Sequence, residues 1–419
     1  TSWTTAVWTK ATGTASWNFT LTNLPEGETN TLKLSAVDTY GNVRAAVSNT
    51  LKVDAAYPVV GTVNYKGGNG TVKALSSASA NPSYESAYPI YISGTSTDSY
   101  KVSEVKVSAV NGAVTKEKTA TITESTSVNW EVEYSESELT EGNWTITVTV
   151  TDGADKAQTS VPYVLCIDKT APAVSSSFYE PGTTTVFGTG WTSINKVKVK
   201  PTVTDTTSGA NEVSYYVTGT AVSDVSQITD NLWSSLGTYT SGMEKEISIP
   251  EGTNYIYIRA TDKAGNKGYA TAPALTAKVD TTKPSGFITS PSTGTRIGKS
   301  QDVTVKVSAA DQSTLSKLKT VRVDVLYKQL ESGTVKDKTK SYTVTTPVDG
   351  ENTVEIPAAD LKAIGEYMAS DGTTYLNNSI EIKAVLEDNA GNTSETSGVT
   401  VNYDNDAPIV TIINPAKKV

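Results

Sequence analysis

Trp144-Thr-Ile146-Thr-Val148-Thr-Val150-Thr-Asp152 and, closing the same unit, Ile167-Asp168-Lys-Thr-Ala-Pro172 are the stretch that decides the fold. Apolar residues alternate strictly with threonines, the mark of a half-buried strand with one face on a core. Thr, Val, Ile and Tyr, the strand-favouring residues, dominate the chain. After Asp152 a short turn leads into a second strand that ends at the Asp-x-x-x-Pro phrase. The two phrases therefore bracket a hairpin, the last two strands of a domain.

Working outward, the first phrase occurs four times: Asp38-Thr-Tyr-Gly41-Asn42, Asp152-Gly-Ala-Asp155-Lys156, Asp262-Lys-Ala-Gly265-Asn266 and Asp388-Asn-Ala-Gly391-Asn392. Gly and Asn tolerate the positive φ a tight turn needs. The second copy departs, with Asp155 and Lys156 in their place. Each copy is followed 16 or 18 residues later by the second phrase, at Asp54, Asp168, Asp280 and Asp404, with Pro58, Pro172, Pro284 and Pro408 four residues on. Those prolines are 114, 112 and 124 residues apart, the length of one globular domain rather than of a solenoid repeat. Leu24-Pro-Glu-Gly27, Leu139-Thr-Glu-Gly142 and Ile249-Pro-Glu-Gly252 read as turns entering the hairpins. The fourth copy, Ile356-Pro357, carries an insertion to about Thr374, within which Asp360–Met368 is the one stretch of short-helix character. Further upstream, alternating strands run into Asp98, Asp205 and Asp311.

Short strands at even spacing predict an all-β chain of tandem antiparallel β-sandwiches, about seven strands each. The expected division is 1–56 as the C-terminal half of a module, full modules at 57–170, 171–282 and 283–406, and 407–419 as the first strand of another. Linkers of about four residues ending in Pro favour an extended rod. Strands of this length give ~35–45 Å per sandwich and roughly 110–130 Å for three.

Composition removes whole classes of function. The 419 residues contain no His, one Cys (Cys166) and a net charge of −9. That excludes imidazole catalysis, His metal sites, internal disulfides and thiolate zinc. With 35 basic against 44 acidic residues, nucleic acid is not an expected partner. No apolar run is long enough to span a membrane. Without a leader after Thr1, the chain reads as an internal piece of a longer protein, whose remainder is its first partner.

The Asp-x-Ala-Gly-Asn turn, the strand after it and the Val/Ile-Asp-x-Thr-x-Pro junction, clearest at Ile167–Pro172 and Val279–Pro284, resemble the bacterial Ig-like repeats found in tandem in secreted and surface proteins, large adhesins above all. The resemblance implies an extracellular, cell-surface location. It leaves function open between a non-enzymatic stalk, a module binding a glycan or host protein, and an accessory region of a secreted carbohydrate-active enzyme.

In such a sandwich the loops after the second and sixth strands lie at the end where the linker enters. Three aspartates are thus expected at each junction: Asp54, Asp98 and Asp152; Asp168, Asp205 and Asp262; Asp280, Asp311 and Asp388. They cap turns through Asx hydrogen bonds or share a hard cation, and Ca²⁺, which takes 6–8 oxygens, is the candidate. Some Ig-like adhesin arrays use junction calcium for stiffness, which the resemblance brings to bear here. Trp3, Trp8 and Trp17 read as core or as a sugar platform; Trp191 and Trp233 have no repeat counterpart and, with the loop 358–374, are the candidate ligand face. Glu131, Glu133, Glu136 and Glu138 read as a solvated face, and Cys166 as pointing into its core.

Overall fold

The computed structural model describes residues 20–21, 24, 29–44, 47–311, 315–404 and 410–411. Trp3, Trp8, Trp17, the turn through Pro25–Gly27, Pro408 and nearly all of the strand expected over 407–419 lie outside them. By its internal contacts the chain divides into two compact units. One holds 1–172 with 204–211 and 261–267; the other holds 173–203, 212–260 and 268–419.

In the first unit, the strand Ile90–Asn111 serves both sheets of a sandwich. Its start, Ile90–Thr97, pairs antiparallel with Val59–Gly67 and Ser125–Tyr134. Its end, from Val102, pairs with Gly142–Asp152 and Val114–Thr119. The register breaks at 98–101, a corner where the chain changes sheets, and Asp98 sits on it. Between the sheets lie Ile90, Ile92, Trp130, Trp144, Ile146, Val148, Val150, Leu165 and Ile167, all buried. The alternation around Trp144 thus has its cause in burial of one strand face. Gly94 is required there, because a Cβ would come within 2.7 Å of both the Trp130 ring and the Thr62 carbonyl.

The same plan recurs twice. Ala173–Tyr179, Lys196–Thr204 and Lys245–Ser248 form a three-stranded sheet opposite one ordered Trp191–Thr192, Leu275–Val279, Gly252–Asp262, Ala210–Thr218, Ser234–Thr238. Ser285–Ser290, Val303–Ala310 and Gly350–Ile356 face Arg296–Gly298, Val399–Asp404, Ser379–Asp388, Leu318–Glu331, Thr334–Val344. Of the first repeat, the antiparallel hairpin Thr29–Leu34 with Val47–Lys52 is described.

Four details differ from expectation. Each sandwich contains one parallel pairing (Ser83–Glu85, Trp191–Thr192 or Arg296–Gly298 beside the last strand), because the first strand splits and its second piece crosses to the other sheet. The strand after each turn is also broken: Ala157–Thr159 and Tyr163–Ile167 pair with the same edge of Gly142–Asp152, and Ser160 bridges the gap to Val148. The inserted helix is Ala358–Gly365, earlier than expected, since Leu361 and Ile364 fill the core beside Tyr403. Short 3-10 turns occur at Val225–Gln227 and Asp230–Leu232, where only the insertion was expected to be helical; Asp224 caps the first by accepting from the Ser226 N–H.

Candidate metal-binding junctions

The repeated turn is built by its aspartate. In all four copies the Asp N–H donates to the carbonyl of the residue four on, and one Asp oxygen accepts that residue's N–H. Gly41, Gly265 and Gly391 hold φ of 85°, 95° and 87°, and Asp155 holds 62° where Gly is missing. In three copies the Asn amide also donates to the second Asp oxygen, at 2.7–2.8 Å. Asn266 and Asn392 then use the same nitrogen to hold the linker carbonyl of Asp168 (2.9 Å) and Asp280 (2.8 Å). Lys156 replaces that bond with its ammonium on the Asp54 carbonyl.

The nine aspartates come together in three trios, one from the linker, one from the corner and one from the turn. In each trio, carboxylate oxygens lie within 4.8 Å of one another. Six of the nine are buried: Asp98, Asp152, Asp168, Asp262, Asp280 and Asp388. The linker aspartate makes an Asx bond to the N–H two residues on, at Ala56, Thr170 and Thr282. The corner aspartates Asp98 and Asp205 cap their own loops through Tyr100 and Lys101, and Thr207 and Gly209. A corner serine ties back to the linker aspartate each time, as Ser99, Ser208 and Ser316. The Asx bonds thus coexist with convergence, because a carboxylate has two oxygens.

A hard cation fits this donor set. Oxygen ligands at 2.3–2.6 Å from Ca²⁺ lie at most about 5 Å apart, which matches the observed span. Three carboxylates crowded in a buried site repel unless neutralised. In the second trio burial pushes the Asp262 carboxyl above its ordinary value; the Asn266 bonds oppose this and the Asp168 charge adds to it. In the first trio Asp54, Asp98 and Asp152 each keep one buried oxygen with no hydrogen-bond partner. Oxygens in this state, on side chains otherwise fixed by hydrogen bonds, are what a cation would fill.

Two features escaped the sequence. The Glu of the recurrent Glu-Gly turn clamps the linker: Glu141 accepts from the Lys169 N–H and the Thr170 hydroxyl, and Glu251 from Thr281 and Thr282. Its offset to the linker threonine, 29 to 31 residues, was the available signal. Cys166 does not point into the core. Leu165 and Ile167 do, and the Cys166 thiol faces the other way, buried under the Thr207 carbonyl 3.7 Å off. Burial, helped by Asp168, Asp205 and Asp262, pushes its pKa up to about 11.

The candidate ligand groups are used internally. Trp233 stacks Arg259 at 4.6 Å and packs against Tyr216 and Tyr269. Trp191 is half-buried in the short parallel strand, and in the insertion Tyr367 stacks on Tyr327. Glu131, Glu136 and Glu138 pair with Lys66, Lys169 and Lys118 on the surface. Among the described residues no helix is long and apolar enough to cross a membrane.

Residues 128–244 match the family described as Bacterial Ig-like domain (group 3), and 284–356 the Bacterial Ig domain. The chain therefore carries bacterial Ig-like domains. No curated protein matches it. Among solved structures, a tetra-tandem repeat from the extending region of a large adhesion protein is 16% identical, covering 90% of this chain and 81% of its own, at a TM-score of 0.29. A Ca²⁺-stabilized adhesin of an Antarctic bacterium is 15% identical over 89% and 81%, at 0.31. Part of a 1.5-MDa bacterial ice-binding adhesin is 17% identical over 75% and 91%, at 0.28. Superpositions this weak constrain neither the arrangement nor the role of this chain.

Proposed function

We propose that this chain is a structural stalk or spacer segment, without a catalytic role, of an extracellular adhesin-like bacterial protein, and that Ca²⁺ stiffens its junctions. One observation carries the reading: at every described junction the linker aspartate meets an aspartate from each of two loops of the following sandwich. Ca²⁺ would supply the positive charge that lets three carboxylates share one site, and 6–8-fold coordination leaves room for the neighbouring carbonyls and water. Mg²⁺ prefers a small, rigid octahedron and retains its waters, so it suits these crowded oxygens less well.

The strands entering the turns, Gly142–Asp152 and Gly252–Asp262, are eleven residues long, or ~36 Å at ~3.3 Å per residue. Three such sandwiches end to end give about 110 Å. Small-angle scattering of the whole chain with Ca²⁺ is expected to show a maximum dimension at or above that length, shortening or broadening with EDTA. Thermal melts with millimolar Ca²⁺ are expected to lie several degrees above melts with EDTA, as binding to the folded state alone requires. Asp168→Ala and Asp262→Ala should each cancel part of the shift. Overlaying traces would remove calcium from the reading, and a compact particle would remove the stalk.

A further inference from the structure

We propose that the three junctions are not equivalent: the first, at Asp54, Asp98 and Asp152, depends on a bound divalent cation, whereas the other two are largely completed by the protein's own donors. This rests on the cation reading above and goes beyond it by assigning the response to one site and its cause to Lys156 and a tight corner.

Consider the hydrogen bonds oxygen by oxygen. At the second site both oxygens of Asp168 are held, by the Thr170 and Ser208 N–H groups, and both of Asp262, by the N–H and amide of Asn266. The third site repeats this: Thr282 and Ser316 hold Asp280, and Asn392 holds Asp388 twice; the corner aspartates are held on one oxygen, Asp205 by Thr207 and Gly209 and Asp311 by the Ser316 hydroxyl. At the first site no aspartate has both oxygens held. Ala56 and Ser99 share one oxygen of Asp54, Tyr100 and Lys101 one of Asp98, and Ala154 and Lys156 one of Asp152. The second oxygen of each is buried and unpartnered. Asp152 is fully buried and Asp98 is 8% exposed, so bulk water does not serve them.

Lys156 is one cause. The Asn in its place elsewhere donates one nitrogen to two acceptors, the turn carboxylate and the linker carbonyl. Lys156 spends its ammonium on the linker carbonyl and leaves the second oxygen of Asp152 bare. The tight corner is the other. In one continuous strand only 98–101 separate the two registers, so Ser99 meets the oxygen of Asp54 that already caps Ala56, whereas Ser208 and Ser316 reach the opposite oxygen of their aspartates. Each of the three aspartates brings an oxygen within 4.8 Å of the other two, and each keeps one buried oxygen that no protein donor claims. A hard divalent cation is the ligand class they suit.

The test is hydrogen exchange on the whole 419-residue chain, with CaCl₂ or EDTA at fixed ionic strength, reading the amides of 98–101 and 152–156 against 205–209 and 262–266 and against 388–392. Protection at the first site should rise about tenfold or more at ten times Kd, with clearly smaller changes at the other two. Lys156→Asn should shrink the first-site response, and Asn266→Lys should enlarge the second. Equal responses at all sites would overturn the inference and leave the cation reading standing. A silent first site beside responsive second and third sites would also overturn it, showing that the ammonium stands in for the metal. If no site responds, the cation reading falls as well.

Discussion

Replacing Asn392 with Ala tests whether the turn asparagine, rather than the hairpin alone, locks a junction. The amide nitrogen donates at 2.8 Å to Asp388 and at 2.8 Å to the Asp280 carbonyl, with both aspartates fully buried. Losing the bond to a carboxylate costs about 1.5–3 kcal/mol and the bond to a neutral carbonyl about 0.5–1.5 kcal/mol. Water entering the vacated space recovers part of this, so the net loss is about 1.5–4 kcal/mol. For a domain of this size that is roughly 10 °C in its melting transition. The control is Asn42→Ala, which removes the same bond to Asp38 in an exposed turn that makes no linker contact among the described residues. No resolvable change is expected there, as for surface substitutions in general. Differential scanning calorimetry of both variants in EDTA, with exchange protection at 388–392 to assign the transition, separates the cases. Equal effects of the two substitutions, or a loss under about 1 kcal/mol at Asn392, would refute the lock.

Three further outcomes follow from the same geometry. Because burial holds the Asp262 carboxyl above the ordinary 3.8, the folded state binds this proton more tightly than the unfolded chain. Its contribution to stability therefore falls as pH rises from near 3.8 through the raised value, and stays low above it. In EDTA, the stability of wild type minus that of Asp262→Asn should decline over that window; Ca²⁺ should abolish or invert the trend. Glu141→Ala should speed amide exchange at Lys169 and Thr170 equally with Ca²⁺ and with EDTA, since that clamp uses no metal; an effect confined to one condition would contradict it. Cys166, buried and with its thiol held near 11, should resist alkylation at pH 8 until the loop over it opens; rapid labelling of the native chain would show that Thr207 does not cover it.

The trios were legible because two independent signals marked them. Asp152, Asp262 and Asp388 end strictly alternating strands, and Asp54, Asp168 and Asp280 stand at a fixed offset from proline. A fold in which the linker enters beside those turns then brings them together. What was not legible depends on partners far away in sequence. The alternation at Leu165, Cys166 and Ile167 gave no phase, since a strand covered on both faces buries every residue, and Cys166 took the outer one. Pro162, which cannot donate to a ladder, was the one signal of the break between Thr159 and Tyr163. Glu141 read as a turn residue because its donors, Lys169 and Thr170, lie across the linker. Trp233 looked unassigned because its partner Arg259 is a strand residue whose outward position is roofed by the Trp233 loop.

Turn capping and cation binding looked like alternatives in the sequence, yet they draw on different oxygens, and Asp98 allows them to be separated. Tyr100 and Lys101 donate at 2.7 and 2.9 Å to one oxygen, while the other is bare. Asp98→Asn keeps an acceptor for both N–H groups and turns the bare oxygen into an NH₂ donor in a trio where Asp54 and Asp152 each hold a bare oxygen. A negative charge is removed from a crowded trio and two orphan acceptors gain a partner. In EDTA the variant should therefore melt above wild type, by a few degrees for a gain of about 1 kcal/mol. In Ca²⁺ it should melt below, because an amide nitrogen repels the ion and one of three charged ligands is gone. A side chain that only capped its turn would give no such crossing: the two melts would shift together in both conditions, and the second oxygen of Asp98 would have no role at the junction.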